Sequence, residues 1–268
     1  MSEAKSVSFD RAASYYDRTR ALPDELMSRV VAALVAELPR DGTCLEIGVG
    51  TGRIALPLRE HGVRVVGVDI SREMLRRLFE NAGESPPPVA QADATRLPFV
   101  DGAFDAALAV HVLHLIPAWR DAIGEVIRVL QPGGVIAVTG RLGSARRSGT
   151  APGDPWDQRL LRRFFAEAGD PPWPPGLDGL QQLDEHMAQM RIEMRDLSRL
   201  QSETAASVNE VLANLEAGYM AACWTLDEAT RRRAAARARE WARREIGDLD
   251  APRPAREAVT WHLYRLRK

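Results

Sequence analysis

The sequence predicts an α/β protein, a mostly parallel sheet of seven strands with helices on both faces. Apolar runs such as V-V-G-V at 65–68 and F-D-A-A-L-A-V at 104–110 lack the regular alternation of a half-exposed sheet, as strands covered on both faces do. Helical spacing recurs between such runs, so strand and helix alternate along the chain. Glu46, Asp69, Asp93 and His111 stand at or near the ends of successive runs. Parallel strands would set all four along one edge of the sheet, where open α/β sheets bind ligands.

At 268 residues the chain is long enough for one large domain with a substantial core. The expected organisation is a single domain over 1–268. It has an N-terminal helical lid at 1–40, a ligand-binding core at 41–140, remaining core with the sixth strand at 141–204, a helical insert at 205–256 and a final strand at 257–268. An apolar fraction of 45% and a charged fraction of 27% fit an ordinary soluble protein. Nothing approaches the ~18 apolar residues of a membrane span, and the first 20 residues lack the apolar centre of a signal peptide, so a cytoplasmic protein is expected. A net charge of −1 gives no global attraction to nucleic acid. Cys44 and Cys223 are too few and too far apart for a disulfide framework or a metal-ligand spacing, and no metal is expected.

In chain order, Phe9 to Arg20 is dense in aromatic and charged residues. Pro23 then opens a helix carrying Leu26, Met27, Val30, Val31, Leu34 and Leu38 at helical spacing. Thr43 to Ile47 reads as the first strand, Arg53 to Glu60 as its helix, and Arg64 to Val68 as the second strand, ending in Asp69. A helix follows from Ser71, with Asp69 and Ser71 both suited to cap it. Pro86 to Pro88 make a stiff linker before a short strand at Val89 to Ala92. Phe104 to Val110 is the fourth strand and Ala118 to Leu130 a helix, which Gln131-Pro132-Gly133-Gly134 ends before a fifth strand at Val135 to Thr139.

Residues 141–156 read as an exposed loop, followed by helices over about Trp156 to Ala168 and Leu177 to Met190. The sixth strand is expected at Arg191 to Leu200 with Ile192, Met194 and Leu197 pointing inward. Residues 205–248 are helix-rich, and Val259 to Leu266 alternates as a last strand. The arginine-dense run Arg231 to Arg244 has Glu228, Glu240 and Glu245 around and within it, which reads as a solvated helix face.

The stretch C-L-E-I-G-V-G-T-G-R at 44–53 carries the chemistry. Gly48, Gly50 and Gly52 permit positive φ and clear the Cβ atoms that would keep a ligand off the backbone, and the helix behind them offers unpaired N–H groups. A dinucleotide fingerprint would need glycine where Arg53 stands. The negative field of Glu46 suits an ammonium or sulfonium better than a pyrophosphate. Asp69 follows the first glycine by about 20 residues, the place of an acid that accepts from ribose hydroxyls.

This stretch resembles the E-x-G-x-G-x-G motif of class I methyltransferases, which bind S-adenosylmethionine on a Rossmann-like sheet. F-D-x-x-A-x-x-Y-D at 9–17 resembles the lid of the ubiquinone- and menaquinone-biosynthesis type, methyltransferase type 11, which acts on small molecules. A-D-A-T-R-L-P-F at 92–99 and L-x-P-G-G-x-I at 130–136 are similar to further motifs of the superfamily. The resemblance implies S-adenosylmethionine as cofactor, held by Glu46, the three glycines and Asp69. It places Ile70 and Met74 beside the adenine, Asp93 on its amino group, the backbone of Ala94 at its ring, and Tyr15, Tyr16 and Arg20 of the lid against the cofactor. His111 is the candidate general base because imidazole titrates near neutrality, the alternative being backbone contact to the cofactor alone.

The implied activity is methyl transfer to a small molecule by a monomer or homodimer, with the insert shaping either the acceptor pocket or a subunit interface. A non-catalytic sensor or scaffold would carry the same motifs. A nucleic-acid methyltransferase is less well supported, since A-V-H-V-L stands where an N-P-P-Y-like motif would be expected.

Overall fold

The computed structural model describes residues 6–139 and 155–267, so most of the loop expected at 141–156 lies outside the described residues. The chain forms two compact units, one of Met1–Arg141, Pro175–Leu200 and Ala258–Lys268, the other of Leu142–Pro174 and Gln201–Glu257.

The first unit is built on the predicted sheet. Its helices and strands are α1 (Tyr16–Arg20), α2 (Asp24–Glu37), β1 (Thr43–Ile47), α3 (Ala55–Glu60), β2 (Arg64–Asp69), α4 (Arg72–Ala82), β3 (Val89–Gln91), β4 (Phe104–Val110), α5 (Trp119–Val129) and β5 (Leu130–Thr139). Beyond these, α6 is Trp156–Glu167, α7 Leu180–Gln189, β6 Glu193–Ala206, α8 Val208–Glu216, α9 Glu228–Glu245 and β7 Arg253–Arg265. The seven strands lie in the order β3-β2-β1-β4-β5-β7-β6. Pairing is parallel from β3 through β5, and β7 runs antiparallel to β5. The order reverses direction at β1, so its neighbours β2 and β4 leave a crevice at their carboxyl ends.

Alternate residues of the central strands feed two cores. Leu45, Ile47, Ala107, Ala109, Ile136 and Val138 pack under α5 and α7, while Cys44, Ala106, Leu108, Val135 and Ala137 pack under α2, α3 and α4. Small residues in β4 let helices approach from both sides, which explains its unbroken apolar run. In α2 the buried residues Leu26, Val30, Val31 and Leu34 repeat at helical spacing on one face. Ser71 caps α4, its hydroxyl accepting the Met74 backbone N–H at 3.1 Å.

Several expectations are corrected. The helix after the glycine turn opens at Ala55 rather than Arg53, because the turn uses Arg53 and Ile54 to change direction. Leu130-Gln131-Pro132-Gly133-Gly134 does not end α5 as a free turn. It begins β5, pairing Leu130 with Phe104 and then shifting register so that Val135 meets Ala106. β6 and β7 are longer than read: β6 runs on to Ala206 and β7 starts at Arg253. Met194 is exposed rather than inward, while Leu197 and Leu200 are buried.

The second unit holds α6, which the sequence assigned to continuing core, together with α8 and α9. Leu160, Phe164 and Phe165 of α6 and Leu212 and Leu215 of α8 meet a stripe of Ala234, Ala235, Ala238 and Ala242 on α9. Three arginines of α9 are held by acids and carbonyls: Arg237 by Glu167 at 3.1 Å, Arg239 by Glu216 at 2.9 Å, and Arg231 by the backbone oxygens of Glu216 and Leu226. Among the described residues no helix is long and apolar enough to cross a membrane.

Candidate active site

The site forms in the first unit where β1, β2, β3 and β4 end. Gly48, Gly50 and Gly52 all have positive φ, at 67°, 57° and 85°. At Gly48 the missing side chain is also a steric requirement: a Cβ would lie 2.4 Å from Val112 Cγ2. Asp69 closes the turn from the neighbouring strand. Its Oδ2 accepts the Gly50 N–H at 2.9 Å and its Oδ1 the Ser71 N–H at 2.8 Å. Burial raises the pKa of this carboxyl, and the backbone N–H groups of Ser71, Gly50 and Ile70 oppose that rise.

Glu46 is 2% exposed, and its Oε2 lacks a hydrogen-bond partner. Burial pushes its carboxyl up to about 8, against the pull of the Arg53 guanidinium. Asp93 Oδ1 accepts both the backbone N–H and the hydroxyl of Thr95 at 2.9 Å, which fixes the turn after β3. His111, directly after β4, takes a φ of 50°, uncommon for a residue with a side chain. Its N–H donates to the Thr139 carbonyl at 2.9 Å, so the neighbouring strand β5 holds the unusual backbone in place.

These turns surround a cleft of about 650 Å³, counted to its open mouth. Gly48, Gly50, Asp69, Ile70, Met74, Asp93, Ala94, His111 and Tyr16 of the expected residues line it. Four expected residues do not. Glu46 is buried beneath the glycine turn, Gly52 faces Leu56 and Leu78, Tyr15 precedes α1 outside the lining, and the Arg20 carbonyl is taken by the Arg53 guanidinium at 3.0 Å. Glu46 and Gly52 thus shape the turn from behind, and Arg20 belongs to the anchoring of the lid.

The sequence reading missed Val112, Leu115 and Ile116 after β4 and Ser6 and Val7 ahead of the lid motif, and it placed Phe9 only within the lid segment Phe9 to Arg20, expected to build the acceptor pocket. Phe9 carries a signal as the first residue of the F-D-x-x-A-x-x-Y-D pattern, and its ring stands edge-on to Tyr16 at 6.0 Å. The others are ordinary apolar or small residues that only the fold brings to the cleft.

The cleft combines a backbone turn stripped of side chains, a carboxylate at each of two strand ends, an apolar flank from Ile70 and Met74, and an unpaired buried carboxyl oxygen behind the turn. That donor set fits a ligand with ribose hydroxyls, a flat heterocycle and a cationic end. Together with the strand order it defines the class I methyltransferase type of α/β fold.

Comparison with known proteins agrees. Residues 45–138 match the methyltransferase domain family Methyltransf_11. Over 140 residues, 51% of this chain, the sequence is 38% identical to a phosphatidylethanolamine N-methyltransferase of Cereibacter sphaeroides and covers 67% of it. Over 141 residues, 50% of this chain, it is 36% identical to a demethylmenaquinone methyltransferase of Clavibacter sepedonicus, covering 56% of that protein. The crystal structure of the YcgJ protein of Bacillus subtilis shares the fold with a TM-score of 0.62 at 19% identity, over 92% of this chain and all of that one. The chain belongs to the class I S-adenosylmethionine-dependent methyltransferases.

Proposed function

We propose that the protein transfers a methyl group from S-adenosylmethionine to a small-molecule acceptor at this cleft. The observation that carries the reading is the convergence of Gly48, Gly50, Asp69, Asp93, Ala94 and His111 on one cavity from four strand ends. When bound, S-adenosylmethionine supplies an electrophilic methyl on a sulfonium. The protein has to hold it, align a nucleophile and exclude water.

In this reading Asp69 accepts from the ribose hydroxyls while keeping its two backbone donors, since each carboxylate oxygen has two lone pairs. Gly48 and Gly50 let the amino-acid end lie against bare backbone, and a cation bound there would draw the Glu46 carboxyl beneath the turn toward its charged form, against the burial that keeps it neutral. Ile70 and Met74 flank the adenine, and the turn at Asp93-Ala94 reads its edge. His111 faces the cavity and takes the acceptor proton where one must leave.

The two relatives differ in the acceptor that their names carry, phosphatidylethanolamine in one and demethylmenaquinone in the other. The shared core therefore specifies the cofactor, and segments outside it select the acceptor. Incubation with methyl-labelled S-adenosylmethionine and a fractionated metabolite extract tests this directly. Label is expected in a small-molecule fraction, and label only in bulk tRNA or DNA would overturn the reading.

A further inference from the structure

Both cleft-lining aromatics of the lid are followed at once by an aspartate: Phe9 by Asp10 and Tyr16 by Asp17. These aspartates reach opposite ends of α4. Asp10 Oδ1 accepts the Ser71 hydroxyl at 2.6 Å and the Glu73 N–H at 3.2 Å, at the amino end of the helix, while Oδ2 accepts the Ser8 hydroxyl at 2.7 Å. Asp17 Oδ1 accepts the Thr51 hydroxyl at 2.5 Å, and its Oδ2 takes the Asn81 amide at 3.0 Å and lies 3.5 Å from Arg77 Nε. Asn81 also donates to the Thr51 carbonyl at 3.1 Å.

The partners of these two aspartates are themselves parts of the cofactor turns. Ser71 donates its N–H to Asp69, and Thr51 follows Gly50, whose N–H the other Asp69 oxygen accepts. Thr51 is only 1% exposed, so its hydroxyl is satisfied by the lid rather than by water.

We infer that Asp10 and Asp17 are positioning residues that clamp Phe9 and Tyr16 over the cleft by bonding to the two turns Asp69 organises. The inference rests on the cofactor reading of that cleft. It explains the spacing of the F-D-x-x-A-x-x-Y-D pattern: two aromatic-acid pairs seven residues apart span the lid, each with an aromatic residue that lines the cleft and a carboxylate on the turn beside it. A ligand that orders the turns would strengthen the grip of the lid, and loss of either aspartate would shorten residence in the cleft.

The test uses S-adenosylhomocysteine as probe with the full chain, Asp10→Ala, Asp17→Ala, Thr51→Val and the Asp17→Ala/Thr51→Val double variant. Dissociation of the probe is expected to quicken by about tenfold in either aspartate variant, the equivalent of one charge-assisted bond. Hydrogen exchange should rise at residues 6–20 while β1 and β4 keep their protection. The double variant should dissociate the probe no faster than Asp17→Ala, because both changes break one bond. Dissociation within about twofold of wild type in both aspartate variants would overturn the inference, as would an equal rise of exchange in β1 and β4. Failure of the wild-type protein to bind the probe would instead overturn the cofactor reading beneath it.

Discussion

The Gly50 N–H donates to Asp69 Oδ2 at 2.9 Å, so the end of one strand holds the glycine turn that ends its neighbour. The Ser71 N–H occupies the other oxygen, and only a carboxylate presents two acceptors in this way. Asp69→Asn would set an amide NH₂ against one of these N–H groups. We predict a fall in affinity for S-adenosylhomocysteine of about tenfold or more, for a loss of about 1.5–3 kcal/mol. Isothermal calorimetry on both proteins checks this, and equal affinities would remove Asp69 from the site.

Gly48→Ala combines two penalties, a positive φ and a Cβ placed 2.4 Å from Val112 Cγ2. The backbone part alone costs about 1–2 kcal/mol. Adding Val112→Ala should recover the steric part and leave the backbone part. Urea denaturation of the single and double variants measures both, and an unrelieved loss in the double variant would show that Val112 is not the obstacle.

His111 lines the cavity and takes a φ of 50°. Asparagine tolerates that backbone conformation but is no base, so His111→Asn separates the two roles. If the imidazole accepts a proton, methyl transfer should fall about 10²- to 10⁴-fold with cofactor affinity nearly unchanged. Single-turnover transfer of labelled methyl measures the first quantity and calorimetry the second, and a normal rate would leave the backbone as the only contribution of His111.

Glu46 makes stability depend on pH. Its pKa is raised on folding, from 4.5 to about 8, so the neutral form favours the folded state. That stabilisation is fully present below 4.5 and is lost as pH rises through about 8. Glu46→Gln keeps the shape and removes the titration. The mutant should gain on the wild type between pH 5 and pH 9 by more than about 1.4 kcal/mol, the equivalent of one pK unit. Parallel urea melts at the two pH values test the sign, and a constant difference would contradict it.

The centre of the fold was legible because β1, β2 and β4 are largely apolar on both faces and each has a polar group of chemical use at or beside its carboxyl end. Asp69 is the clearest case: the spacing that pointed to it is the distance from one strand end to the next in a strand-helix-strand unit. The start of β5 was hidden because Pro132-Gly133-Gly134 has turn composition and the register shift opposite Phe104 leaves no periodic mark. Met194 misled because a Met in an alternating run looks inward whichever face is covered. Asp10 and Asp17 were in plain view within the lid pattern, but a lone carboxylate does not name its partner. Ser71 and Thr51 lie 61 and 34 residues further on, and only the fold brings them close.

The strand order also sets a timetable for synthesis. β7 lies between β5 and β6, yet the ribosome makes it after both. The parallel half of the sheet can assemble while translation continues, but β6 emerges with no strand to join and β5 keeps one edge unpaired until Arg253–Arg265 arrives. An open edge of this kind recruits foreign strands, so a chain that ends between β6 and β7 should aggregate more readily than one that carries β7.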